Sequence, residues 1–330
     1  MPRGHKVAKE GDGGGALAMN ALMARCESEG VRLVCDARVS ALVRDDAGRI
    51  MGVRVRQGRE ETFVRARRGV VLAAGGFGMN SELMDKYVPD LPRSAEPLGI
   101  PNNDGDALQL GLAAGAATQA ISGTISTGSF YPPADLIKGI LVNLHGERFV
   151  AEDSYHGRTA ERIAEEPHAK AYLIVDEEVF HYPEREKSGH RLIDGWETVA
   201  EMEAALGLPE GSLQRTIEEY NKGAIEGKDP LLHKHADWVK PLDKGPYAAF
   251  DVSYDNSLYV YLTLGGIRTN DEAEVLDAQG DAIPGFFAAG ACVAHIPQNG
   301  KEYASGLSLG PGSYYGRVAG TNAARETVNE

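Results

Sequence analysis

Tyr303 and Ser305 stand two residues apart in a glycine-bearing loop that runs on to Ser308, Gly310, Pro311 and Gly312. A phenol near the positive end of a helix can act as acid or base, and a nearby hydroxyl can hold it or a carbonyl. Together they could remove a proton from a substrate held in front of them. The structural alternative weighs equally here: the tyrosine packs and the serine caps the next helix. His156 lies between Tyr155 and Arg158 just after a hairpin pattern, where a surface position is expected. His233 and His235 fall two apart in a charged loop with no cysteine or acid cluster to complete a metal site, so none is expected.

The elements that would position these hydroxyls come next. Ile283-Pro-Gly-Phe-Phe-Ala-Ala-Gly290 reads as a buried strand ending in glycine, followed by the loop and then a glycine-rich helix start. That order gathers backbone N–H groups and a positive helix end, a setting for a flavin or another anionic, carbonyl-bearing ligand. Gly69 to Gly76 is a second apolar run ending in paired glycines, suited to the buried centre of a parallel sheet. The tips of both strands are expected to meet one ligand. Gly312, Gly316 and Gly320 share a helix face, each costing about 1 kcal/mol relative to alanine, so a close backbone or cofactor approach is expected there.

Elsewhere, Gly15 to Gly30 predicts a helix and Val31 to Cys35 a strand. Residues 39–43, 50–55 and 61–65 predict an antiparallel meander with a turn at Asp45 to Gly48. Asp104-Gly-Asp106 opens a helix that closes at Gly115, and capping alone would explain both acids. A hairpin is expected over residues 139–150, a strand over 171–175, helices over 196–206 and 212–222 with Ser212 as cap, and aromatic-rich strands over 247–264. Gly11-Asp-Gly13-Gly-Gly-Ala16 fits the letters of a dinucleotide fingerprint, but no strand precedes it, so a flexible lead into a helix is the reading.

The 330 residues suffice for two domains, and 42% hydrophobic with 25% charged is ordinary for a globular protein. A net charge of −14 argues against nucleic acid or an anionic membrane surface as main partner. Three cysteines without CxxC spacing, no signal peptide and no bilayer-length apolar run lead to the expectation of a reduced, cytoplasmic protein.

Taken together, the motifs resemble the fumarate-reductase/3-ketosteroid-dehydrogenase family of FAD-dependent flavoproteins. The likeness rests on Gly-Gly-Gly-Ala-Leu near residue 15, Val70 to Phe77 with Asn80, Gly105-Asp106 and Gly115-Ala116. It continues through Gly146-Glu-Arg-Phe-Val-Ala-Glu152, Gly265-Gly266-Ile267, Ile283 to Gly290 and Tyr315-Gly316-Arg317-Val-Ala-Gly320. The resemblance implies an α/β fold with an α+β insertion: a split Rossmann-like FAD-binding domain over 1–120 and 261–330, and an inserted substrate or capping domain over 121–260. It places Val39 near the adenine, Ala74 and Gly75 on the diphosphate side and Asp106 on the flavin side. Gly290 and Ala291 would touch the ribityl chain, and Ser308 and Leu309 would offer N–H groups to the flavin's pyrimidine edge. The family's opening strand, GxGxxG turn, helix and acidic ribose ligand have no match, so the chain is expected to begin inside the cofactor domain.

The family's fumarate reductases carry an arginine near the place of Tyr303, and an arginine donor near Tyr155 and His156. A phenol cannot replace a guanidinium fork on a carboxylate. Tyr303, Ser305 and Tyr155 instead resemble the trio of the ketosteroid 4-dehydrogenase branch. The resemblance thus implies an oxidoreductase acting on CH–CH groups beside a ketone of a hydrophobic, 3-ketosteroid-like substrate. Tyr303 would take the α proton, Ser305 would bond Tyr303 or the carbonyl, and Tyr155 would pass the proton outward; the electron acceptor is left open. The alternatives are a fumarate-type enzyme on unsaturated acids, drawing on Arg148, Arg158 and Arg268, and an inactive fragment.

Overall fold

The computed structural model describes residues 14–128, 134–181 and 190–327. Glycines 11 and 13 of the fingerprint-like stretch lie outside them. Helix α1 (Gly14–Ser28) forms where the apolar spacing places it, stops at the left-handed Gly30, and buries none of its side chains. The strand expected over Val31 to Cys35 does not form. Its apolar residues lie exposed, because a strand needs a neighbour for its N–H and C=O groups and none is paired with it among the described residues. The meander is as expected: β1 (Arg38–Arg44), β2 (Ile50–Gln57) and β3 (Glu60–Arg65) pair antiparallel in that order.

Strand β4 (Val70–Leu72) is shorter than its apolar run, and the chain leaves the sheet through Ala73 to Gly76. Helix α2 (Ser81–Tyr87) is capped by Asn80, whose side chain accepts from Leu83 N and donates to Asp104 O at 2.8 Å. After β5 (Glu96–Pro97), helix α3 (Asp106–Ala113) starts two residues later than expected. Its N-cap is the left-handed Gly105, while Asp104 accepts from Asp106 N at 3.2 Å. β6 (Thr118–Gln119), β7 (Thr124–Gly128) and β8 (Ile140–Val142) follow, and Val142 bridges back to Arg148 as the hairpin required.

Next come α4 (His156–Glu165), β9 (Tyr172–Asp176) and β10 (Arg191–Trp196). Trp196 closes that strand instead of opening a helix; Thr198 caps α5 (Val199–Leu206) through a reciprocal box with Glu201. Ser212 is the first residue of α6 (Ser212–Ala224), not its cap, which is Gly211. The remainder is β11 (Tyr247–Asp251), β12 (Tyr259–Thr263), β13 (Gly266–Ile267), β14 (Glu274–Leu276), β15 (Ala282–Ala288) and α7 (Leu309–Arg325).

β4 and β15 are parallel neighbours, pairing Phe286 with Val70 and Ala288 with Leu72 across more than 200 residues of sequence. β13 pairs with β6, so the late segment rejoins the early one. One core cluster gathers Ile50, Phe77, Leu108, Ile267 and Phe286. A second gathers the antiparallel sheet β10-β11-β9-β8 with α4, α5 and α6, including Ile140, Ile174, Leu213 and Phe250. β12 contributes Tyr259 to the second cluster and Tyr261 to the first.

Candidate flavin and substrate site

The tips of β4 and β15 open onto three adjoining voids. The largest, about 1010 Å³, is walled by Val39, Ala74, Gly75 and Asp106 together with Arg38 and Asn103. The next, about 180 Å³, has Gly76, Asn103, Thr263, Ala291, His295 and Ser308 in its wall. A third of about 230 Å³ meets it at His295 and Ser308 and is bounded by Gly290 and Gly312. Seven of the eight expected cofactor residues therefore line one succession of spaces. The eighth, Leu309, is 80% exposed and borders none of them.

The backbone suits a ligand that comes close. Gly75 and Gly290 sit at φ +80° and +82°, where other residues are strained. A Cβ on Gly290 would meet nothing within 4 Å, so there is room directly above its backbone. A Cβ on Gly312 would lie 3.6 Å from Gly290 Cα, an ordinary contact, so the backbone approach expected of that helix does not itself require glycine. Gly316 and Gly320 face open space instead. Among the described residues, no carbonyl accepts from the N–H of Ser308 or Leu309. These are two of the free donors at the start of α7. Donors at a helix start, a glycine-floored groove and room above Gly290 are features that fit FAD.

The hydroxyl residues gather beyond Ser308. Tyr155, the N-cap of α4, has its OH 3.1 Å from Ser305 Oγ. Tyr303 OH lies 3.0 Å from Ser308 Oγ, and the Tyr155 and Tyr303 rings are 6.3 Å apart between centroids. Ser305 therefore pairs with Tyr155 and not with Tyr303, and the N-cap of α7 is Ser308. His156 is half-buried, not on the surface. Its ring lies against Tyr155 at 4.0 Å, its Nδ1 meets Thr127 Oγ1, and burial pushes its pKa down.

Several wall residues carried no local signal in the sequence. Arg38 ion-pairs with Asp106 at 2.6 Å, and Asp106 and Val39 line the same, largest void. Asn103 fills the space beside Gly75, where a Cβ would meet its Oδ1 at 2.3 Å. Nδ1 of His295 lies 3.1 Å from Leu264 O, an acceptor that assigns the ring proton to Nδ1. Burial pulls its pKa down against that carbonyl. Cys292 is buried between the strand tips, sharing Leu72 O and Ala289 O, and burial pushes its thiol up to about 11. Cys26 and Cys35 are free and exposed. Among the described residues no group of three metal-binding side chains occurs, and no helix is long and apolar enough to cross a membrane.

Paired strand tips that open onto a glycine-floored groove beside a free helix start form a cradle suited to a nucleotide cofactor. Sequence comparison makes the class specific: the chain belongs to the FAD binding domain family, whose model matches residues 3–306, and its cofactor is FAD. It belongs with the FAD-dependent flavoproteins of the fumarate reductase/ketosteroid dehydrogenase family. The crystal structure of 3-ketosteroid-delta4-(5alpha)-dehydrogenase from Rhodococcus jostii RHA1, in complex with 4-androstene-3,17-dione, is 40% identical with a TM-score of 0.90. The match covers 98% of this chain and 67% of that one. A probable fumarate reductase of Shewanella frigidimarina is 26% identical over 97% of this chain and 55% of its own length. A 4-oxocyclohexanecarboxylate 2-dehydrogenase of Sinomonas cyclohexanicum is 29% identical over 93% of this chain and 60% of its own. The chain thus spans little more than half the length of these two curated relatives.

Proposed function

We propose that this chain forms the chemical centre of an enzyme that desaturates the bond next to a ketone, with a 3-ketosteroid-like polycycle as substrate. The observation that carries the reading is the convergence of Tyr155, Ser305, Tyr303 and Ser308 as two hydroxyl pairs beside the cofactor voids. Tyr303 takes the proton α to the carbonyl, while Ser308 Oγ holds its phenol in place. The neighbouring β hydrogen departs with its bonding pair, and the C–H electrons left at the α carbon close the new double bond. FAD, when bound, supplies the acceptor for that hydride. Tyr155, paired to Ser305, passes the proton outward. Residues 121–260 serve as the capping unit that keeps water from the substrate, and residues 1–120 with 261–330 hold the cofactor.

The fumarate-type alternative draws on three arginines. The Arg148 side chain is 1% exposed and engaged by Glu152 and Asp229, and Arg158 donates to Lys301 O. Neither of these is poised to grip a carboxylate. The relatives named for ketone dehydrogenation also favour the ketone reading. The test is Tyr303→Phe in the FAD-loaded enzyme, assayed with a saturated 3-ketosteroid and an artificial electron acceptor. Loss of about 10²-fold or more in kcat is expected for a proton-transfer residue. Turnover at the parent rate removes Tyr303 from the chemistry.

A further inference from the structure

One face of α4 follows the backbone of the loop that carries Tyr303 and Ser305. Tyr155, at its N-cap, reaches Ser305. One turn on, Arg158 donates from Nε and Nη2 to Lys301 O at 3.3 and 3.1 Å. A further turn on, Glu161 lies beneath Gly300, so close that a Cβ there would meet Oε2 at 2.5 Å and Gly157 O at 3.1 Å. Glu165 then binds Lys301 Nζ. These helix residues are three to four apart and share one side of α4. All four reach a stretch only six residues long.

The same helix is rooted in the other core, where Ala160 and Ile163 are fully packed. We propose that α4 is a clamp in which Arg158 and Glu161 are positioning residues: Arg158 holds the carbonyl of Lys301, Glu161 packs its carboxylate beneath Gly300, and together they aim Tyr303 and Ser305 at Tyr155. The proposal rests on the catalytic reading above only for what the loop does, not for how it is held. The chemistry of Glu161 agrees. Burial raises its pKa, and the nearby Lys301 charge opposes that rise. Its Oε2 is buried beside Gly300 with no hydrogen-bond partner, so the carboxylate meets the loop by packing. Gly300 leaves no room for a side chain between the two backbones.

The test compares amide hydrogen exchange in the parent chain with Arg158→Met, Arg158→Lys and Glu161→Ala, alongside thermal unfolding. Exchange over residues 300–306 is expected to quicken about tenfold in Arg158→Met, the scale of one lost hydrogen bond to a charged group, and to quicken also in Glu161→Ala, which removes the packing beneath Gly300. β9 keeps its protection and the melting temperature holds. Arg158→Lys keeps one donor and recovers part of the protection. In the FAD-loaded enzyme the same two variants are expected to lower kcat with KM little changed. Unchanged loop exchange in both variants overturns the clamp, whatever Tyr303 does. Faster exchange with parent kcat overturns the positioning role. Tyr303→Phe at parent turnover would defeat the catalytic reading while leaving the exchange result standing.

Discussion

Arg148 shows how surroundings decide a residue's role. Its motif is compatible with a grip on a substrate carboxylate, yet its guanidinium is fully spent on Glu152 and Asp229 at 2.8–3.0 Å. Tyr220 lies 4.7 Å under it, and Lys234 joins Glu152 at 3.2 Å and Gly139 O at 2.6 Å. Burial opposes its charge, but the two carboxylates outweigh it and hold its pKa above the usual value. Arg148→Met is expected to cost about 3–5 kcal/mol in urea unfolding, because two buried carboxylates lose their main partner. A cost under about 1 kcal/mol would show the cluster to be solvated in solution. At this scale the sequence displayed the hydroxyl-bearing residues, since tyrosine and serine in a glycine loop announce a possible chemistry. It hid Arg38, Asn103 and His295, whose partners are supplied by the fold. Arg38 meets an aspartate 68 positions away, and no local pattern encodes such a pairing.

Elements were legible where their own period specifies them, as in the meander and α1. They were illegible where a partner decides. Val31 to Cys35 has the composition of a strand but no paired edge, and β4 stops at Leu72 because Gly75 turns the backbone away. Gly265-Gly266 was visible only as a motif, and the structure supplies its reason. A Cβ on Gly265 would lie 2.0 Å from Ala120 O, and one on Gly266 would lie 2.4 Å from Cys292 O. Both obstacles are backbone, so neither can swing aside. The pair lets the chain leave β12 and pass close to two other segments as it enters β13. Gly265→Ala is therefore expected to destabilise the protein by about 1–3 kcal/mol, the range for forced overpacking. Denaturant unfolding at parent stability would contradict that close passage.

Across the whole molecule, the late strand β15 returns beside β4, and α4 reaches from the second core to the loop that precedes α7. Two apolar runs, each ending in glycine, hinted that strand tips meet; their parallel register came from the fold. The proposed site exists only because these distant segments converge, so its chemistry is best judged on the assembled flavoprotein. The direct measurement is anaerobic bleaching of bound FAD by a saturated 3-ketosteroid, set against succinate as the competing reductant. The account predicts loss of the oxidised flavin band with the ketosteroid and none with succinate. Bleaching by succinate alone would contradict it.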